Sequence, residues 1–224
     1  MNLFGNNTLG YYYLEAHVGT PPQKKALIID TGSHVTIFPC NDCTHCGKHL
    51  YPPFQNQDSS TYSPIKPHTQ YFNWECGNSY DDKCKFSISY SESSSYDGYY
   101  AIDNFVFENE LYLDKDHNLK HIFGCATNET KLLYKQEVDG VIGFGPSEHR
   151  SNTHPPTIVD IEKSEDRIES KSFSVCIGEN GGRLSFGGMN EKLHLNGEFI
   201  NKIDCSDCDW TSQYKVIITG IEVG

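Results

Sequence analysis

The chain has 224 residues, enough for one substantial core or for one lobe and part of another. Its 18 Lys and Arg stand against 30 Asp and Glu, a formal net charge of −12, which argues against a nucleic-acid binder that must neutralise phosphates. The longest uninterrupted aliphatic stretch, Ala26 to Ile29, is far short of the roughly 20 apolar residues that span a bilayer, so no membrane segment is read in this chain.

Met1 to Asn7 has neither a charged start nor an apolar run, so it offers no signal peptide. Tyr11 to Val18 is aromatic and apolar, Gly19-Thr20-Pro21-Pro22 breaks it, and Lys25 to Ile29 resumes as a buried run; this predicts a hairpin. Residues 50–75 are crowded with Ser, Pro, Asn and His without a period and read as loop. Cys84 to Tyr90 and Gly98 to Phe107 predict a second hairpin, whose connection Ser91 to Asp97 is too polar to bury and should project from the body. His121 to Cys125 is a further strand, and residues 145–156 are a second loop. Between Pro155 and Ser170, the spacing of Ile158, Ile161 and Ile168 predicts one amphipathic helix, the only helix in the pattern. Phe173 to Ile177, Arg183 to Phe186 and Tyr214 to Val223 complete the strands. Many short strands, with 19 Gly and 10 Pro and no solenoid repeat, give a mostly β, mostly antiparallel fold class.

Nine cysteines are many for a reducing compartment, and an oxidising one is the first reading. Cys40, Cys43 and Cys46 form a C-x2-C-x2-C run close to His45 and His49, and Cys205 and Cys208 form a second C-x2-C. The rival is a cysteine-rich zinc-binding domain, but the two knuckles lie across most of the chain rather than about 12 to 20 residues apart. No metal and no cofactor is assigned. The sequons Asn6-Asn7-Thr8 and Asn128-Glu129-Thr130 fit a secretory route and weigh little.

Ile28-Ile29-Asp30-Thr31-Gly32-Ser33 places a carboxylate at the end of a buried strand, on a glycine turn, with a hydroxyl on either side. There it can be desolvated yet held by hydrogen bonds from Thr31, Ser33 and backbone N–H groups. An Asp-[Thr/Ser]-Gly triplet arises by chance in about one chain in ten of this length, and on its own it reads as a strand-ending turn.

The hairpin leading into Asp30, the Tyr-containing hairpin about 60 residues on, and Asp139-Gly140-Val141-Ile142-Gly143-Phe144-Gly145 together resemble the pepsin-like aspartic peptidases. In that family these are the first lobe's catalytic loop, the flap, and the segment that threads through the loop. The run Pro39 to Cys46 directly after the triplet is similar to the cysteine-rich insertion of the nepenthesin-type branch. Phe123-Gly124-Cys125, Phe173 to Cys176 and Glu179 to Leu184 resemble the plasmepsin V-type members of that branch. The likeness covers about Tyr11 to Val223. It implies an N-terminal lobe at 1–190, with an insertion at about 40–84 and a flap at about 84–107. Residues 191–224 would then be the connection and the first strands of a truncated second lobe.

The resemblance implies that Asp30 is one of two catalytic aspartates, that Thr31, Gly32 and Ser33 support it, and that Tyr90 is the flap tyrosine. Glu92 would read an arginine three residues upstream of the scissile bond in a peptide or protein substrate. It also implies the disulfides Cys40–Cys125, Cys43–Cys46 and Cys76–Cys84, with Cys205 and Cys208 placed to close locally and Cys176 left odd. The expected setting is the secretory pathway, in the lumen of the endoplasmic reticulum, or alternatively secreted or vacuolar.

Three departures qualify this. No second Asp-[Thr/Ser]-Gly occurs in the sequence, so the partner aspartate is expected on the second lobe of the same polypeptide, and the chain alone is expected to be inactive. Asp97, Asp103 and Asp139 are poor substitutes, lying on the flap hairpin and the threading segment. Ile37 stands where most of the family has a tryptophan that hydrogen-bonds the flap tyrosine, and Ser91 stands where the plasmepsin V type has a cysteine. The alternatives are a catalytically dead peptide-binding lobe and a homodimer pairing Asp30 with its own copy.

Overall fold

The computed structural model describes residues 1–71, 74–76, 82–107, 119–146 and 172–188, with single positions at 157, 161, 168, 170, 214 and 220. Its strands are β1 (Asn2–Asn6), β2 (Tyr11–Val18), β3 (Gln23–Asp30), β4 (Ile37–Pro39), β5 (Ser63–Pro64), β6 (Gln70–Tyr71), β7 (Trp74–Glu75), β8 (Lys85–Ser89), β9 (Ser95–Phe107), β10 (Leu119–Glu129), β11 (Gly140–Gly143), β12 (Phe173–Gly178) and β13 (Gly181–Phe186). A single helical turn and a half, α1 (Lys131–Lys135), follows β10. The main sheet runs β12-β13-β1-β2-β3-β11-β4-β10-β9-β5, with β8 added on β9 and β2 also touching β9.

Sequence pattern explains the strands that carry the sheet. In β2, Leu14, Ala16 and Val18 are buried and alternate with half-exposed Tyr13, Glu15 and His17, the period of a strand with one face on the core. The turn from β2 to β3 passes through Gly19 at φ 88°, where a side chain would strike Ser59 and the Phe54 ring. Beneath the sheet, Phe38, Phe54, Phe105 and Phe123 interlock: Phe38 stacks on Phe123 at 4.7 Å and Phe54 meets Phe123 edge-on at 5.8 Å. Each such ring, fully buried, contributes about 2–3 kcal/mol. Disulfide Cys40–Cys125 abuts this cluster, Cys43–Cys46 closes the insertion locally, and Cys76–Cys84 ties the approach to β8. These are the three pairs named from the resemblance. Cys176 is exposed and unpaired among the described residues.

The structure corrects several expectations. The first residues form a strand that was not expected from the sequence: β1 pairs with both β2 and β13 and so joins the β12–β13 hairpin to the rest of the sheet. The connection between β8 and β9 is shorter than Ser91 to Asp97, because β9 already begins at Ser95; only Ser91, Glu92 and Ser93 project, while Ser94 is buried. Helix α1 was not expected, since Lys131 to Lys135 is too short to show a period. Of the helix expected between Pro155 and Ser170, Thr157 and Ile161 are helical, Ile168 lies outside regular structure, and the rest falls outside the described residues. The strand expected at Tyr214 to Val223 also falls outside them apart from Tyr214 and Gly220, as do Cys205 and Cys208. Among the described residues no helix is long and apolar enough to cross a membrane.

Candidate active site

The site is made by a gap in the sheet that a distant strand fills. The chain leaves β3 at Asp30, loops through Thr31 to Thr36, and returns as β4 without pairing with β3. Into the space between them enters β11, parallel to β3 with Gly143 opposite Asp30, and antiparallel to β4 with Val141 opposite Ile37. Phe144 N–H donates to the Asp30 carbonyl at 2.8 Å and Gly145 N–H to the Ser33 carbonyl at 2.8 Å, so the loop is closed around the strand that penetrates it. The glycines make this possible. A Cβ on Gly143 would sit 2.4 Å from the His34 carbonyl carbon, and one on Gly145 would meet the His34 ring at 2.6 Å.

Behind the loop, Thr36 is fully buried and its hydroxyl lies 2.8 Å from His121 Nε2 and 3.2 Å from the Thr157 hydroxyl. This bracing was missed in the sequence because Thr36, His121 and Thr157 share no motif and meet only across the fold.

Asp30 is half-exposed at the end of β3, and among the described residues its carboxylate accepts one hydrogen bond, at Oδ1 from Gly32 N–H at 2.9 Å. The hydroxyl contacts to Asp30 expected from Thr31 and Ser33 are not made: Thr31 is exposed, and Ser33 Oγ is buried without a hydrogen-bond partner among the described residues. Facing this loop is Tyr90, at the end of β8. Burial raises its phenol well above the ordinary tyrosine range, and the negative charge of Asp30 raises it further, while the Ser33 hydroxyl pulls the other way. Ser33 is thus near enough to act on the Tyr90 oxygen, yet no well-formed hydrogen bond joins them, and the Tyr90 hydroxyl is buried and unpartnered among the described residues. Ile37, fully buried, packs in the same apolar cluster as Tyr90 and has no donor to give it.

The structure therefore brings Asp30 and Ser33 within reach of Tyr90, with Thr31 and Gly32 exposed beside them. Glu92 is exposed on the projecting turn, close enough for its charge to act on Tyr90, and its carboxylate accepts a hydrogen bond from the Ser94 hydroxyl. Ser93 takes φ 72° there and the turn closes through Tyr90 N–H to the Ser94 carbonyl at 2.9 Å.

The other acidic residues weighed are occupied. Asp139 accepts from Ala26 N–H at 2.6 Å and Tyr51 N–H at 2.8 Å; Asp103 accepts from Ser59 and Thr61; Asp97 accepts from Asn128 at 2.9 Å. Cys40, Cys43 and Cys46 are all consumed by disulfides, and the imidazoles of His45 and His49 are engaged with Glu129 and Gln136, so this C-x2-C-x2-C run has no thiolate to offer a zinc ion.

Comparison with known proteins bears on the whole arrangement. The family described as Xylanase inhibitor N-terminal matches residues 12–188, most of the chain and all of the loop, strand and hairpin just described. The chain belongs to the pepsin-like aspartic proteases. Among curated proteins of this family, it is 35% identical to Aspartic protease 5 of Toxoplasma gondii over 82% of this chain. It is 32% identical to Plasmepsin V of Plasmodium falciparum over 96% of this chain, and 33% identical to nepenthesin-2 of Nepenthes gracilis over 61%. The chain spans 20%, 36% and 30% of the length of those three relatives.

Proposed function

We propose that this polypeptide is an aspartic endopeptidase in which Asp30 is one of two carboxylates that share a proton across the substrate cleft. The observation that carries the reading is the half-exposed Asp30 carboxylate, held among the described residues by a single backbone N–H, on a loop that β11 locks in place and that Tyr90 overlooks. A carboxylate with one protein donor keeps lone pairs for a water molecule. In the proposed reaction one carboxylate takes a proton from that water as its oxygen attacks the peptide carbonyl, while the partner carboxylic acid protonates the carbonyl oxygen. The tetrahedral species collapses as the amide nitrogen is protonated and the C–N bond breaks.

The partner carboxylate is assigned to a second lobe of the same polypeptide, in keeping with the share of each relative's length that this chain does not cover. On this reading residues 1–224 do not hydrolyse peptides without that lobe. The hairpin β8–β9 acts as the flap. The three disulfides support a setting in the secretory pathway, and the likeness to Plasmepsin V supports a processing enzyme of the endoplasmic reticulum lumen.

Glu92, on the projecting turn, is proposed to take the guanidinium of an arginine three residues upstream of the cleaved bond, a bidentate contact that flap closure would desolvate. The hydrogen bond from Ser94 holds the carboxylate at the turn. In a full-length enzyme, Glu92→Ala is expected to lower kcat/KM for the arginine peptide far more than for matched lysine or alanine peptides; an equal loss on all three would remove Glu92 from the reading.

A second reading is favoured by the family's own description: an inhibitor-like lobe that binds a protein and cleaves nothing. Pepstatin-sensitive cleavage by the full-length protein, abolished by Asp30→Asn, separates the two. A full-length protein that binds peptide without turnover would establish the inhibitor-like reading.

A further inference from the structure

We propose that His49 and Glu129 form a proton-dependent positioning pair, through which the cysteine-rich insertion holds Tyr96 and, against it, Tyr90. The part of this that concerns catalysis rests on the assignment of Asp30 and Tyr90 above.

The pair lies outside the Asp30 loop, where residues 44–54 strap across the end of β10. Both side chains are buried, with 3% of His49 and none of Glu129 exposed. His49 Nδ1 lies 3.0 Å from the Gln136 carbonyl and Nε2 lies 2.8 Å from Glu129 Oε2, which also accepts Gly47 N–H at 2.9 Å. A carbonyl only accepts, so Nδ1 carries a hydrogen. Nε2 faces a carboxyl oxygen, so that contact is a hydrogen bond only while the pair holds one further proton, on the imidazole or on the carboxyl. Remove it, and an imidazole lone pair is pressed against a carboxylate with no water between them, in a site where unscreened repulsion is large.

The groups around the pair reinforce this. Asp139 adds a second negative charge facing His49, and Lys25, whose ammonium donates to the Pro52 carbonyl at 2.6 Å, faces Asp139 in turn. The Tyr96 ring faces Glu129, and Glu137 contributes only its carbonyl, to Leu50 N–H. Burial pulls the His49 proton affinity down, but the Glu129 bond and charge, the Gln136 carbonyl and Asp139 outweigh it and raise the imidazole above its ordinary value. The folded-state value is the raised one. The stabilisation is therefore complete below about 6.5, the ordinary histidine value, and is lost as pH rises through the folded value.

From Glu129 the path to the hairpin is short. Glu129 lies opposite Tyr96 in the β10–β9 register, and next to it Thr130 Oγ1 accepts Ser95 N–H at 2.8 Å. Tyr96 is fully buried, and its ring meets Tyr90 edge-on at 6.2 Å. Strap, pair, Tyr96 and Tyr90 form one packed chain of contacts, and the experiment must show that they are coupled.

The experiment follows the His49 imidazole by NMR in full-length protein while amide exchange is read at Gly47, Leu50 and Tyr51 in the strap and at Tyr90 and Ser93 in the hairpin. Expected is a His49 midpoint above the ordinary value. Exchange, corrected for its intrinsic pH dependence, should quicken about tenfold or more in both strap and hairpin as that proton is lost, the span of one pKa unit. Glu129→Gln should lower the midpoint and flatten the pH dependence of the hairpin. A His49 midpoint at or below the ordinary value overturns the proposal, as does hairpin exchange that stays flat while the strap responds. Both are read on the natural protein, so they hold even if the variant fails to fold. Coupled exchange in a protein without peptidase activity would uphold the pair and overturn the assignment of Asp30; an active enzyme with a pH-flat hairpin would overturn the pair alone.

Discussion

Asp30 and Asp139 sit at opposite ends of the same pair of strands. Asp139 precedes the point where Gly140 meets Leu27, and Asp30 ends the pairing opposite Gly143. Asp30 ends β3 two residues before Gly32, and Asp139 immediately precedes β11 at Gly140, yet Asp139 is 1% exposed with each oxygen taking a backbone N–H, while Asp30 is half-exposed with one such bond among the described residues. Burial raises Asp139 above the ordinary carboxylate value, against the pull of the Ala26 and Tyr51 bonds, Lys25 and His49. A saturated carboxylate pins strands together, whereas an open one keeps lone pairs for a water or a substrate. The difference comes from what covers each end: the strap at residues 44–54 reaches the Asp139 carboxylate through Tyr51 N–H, and no such segment bonds to the Asp30 carboxylate among the described residues.

Exchanging each carboxylate for its amide tests that contrast most directly. In the full-length protein, Asp30→Asn is expected to cost about 10² to 10⁴ in turnover, with the urea midpoint almost unchanged because the side chain holds little together. Near-normal turnover would end the peptidase reading.

Next in size is the bond that fixes the far side of the Asp30 loop. Cys40–Cys125 spans 85 residues and ties the chain after β4 to β10, so replacing both cysteines with alanine should cost about 4–5 kcal/mol by loop-closure entropy. Cys43–Cys46 spans three residues and should cost about 2 kcal/mol by the same relation. Denaturant unfolding of the two double variants checks the order, and equal losses would contradict it.

Asp139→Asn reverses the pattern of Asp30→Asn. It places an NH₂ group against one of two backbone donors, and a loss of about 1–3 kcal/mol in stability is expected. Turnover per folded molecule should be nearly unchanged. A variant as stable as the parent but catalytically dead would invert the assignment of the two aspartates.

The smallest effect is expected at Tyr90→Phe. Its hydroxyl is buried without a partner among the described residues, so removing it should leave stability unchanged or raise it by up to about 1 kcal/mol. A clear loss of stability would mean that the hydroxyl has a partner beyond the described residues.

Much of the fold was legible because it lies in local pattern. The alternation from Tyr11 to Val18, the break at Gly19 to Pro22 and the apolar run before Asp30 each report on neighbours in sequence, and the hairpin follows. β1 and α1 were not legible: the first is a five-residue strand whose partners include Gly182 and Arg183, and the second is shorter than the pattern that would reveal it. The Asp30 triplet and its glycine turn were also plain, but not how few bonds hold the carboxylate. That number depends on which residues arrive from elsewhere.

The sequence by itself determined the strand-forming segments, the acidic balance, the crowding of cysteines and the position of Asp30 on a turn after a buried strand, because these follow from residue type and spacing. Tertiary structure alone decided that β11 enters between β3 and β4, which cysteines meet, and that His49 finds Glu129 from 80 positions away. It likewise decided that one of two similar aspartates is sealed and the other open. Such outcomes rest on contacts between distant segments, whose free energy depends on burial and geometry that no local run of residues encodes.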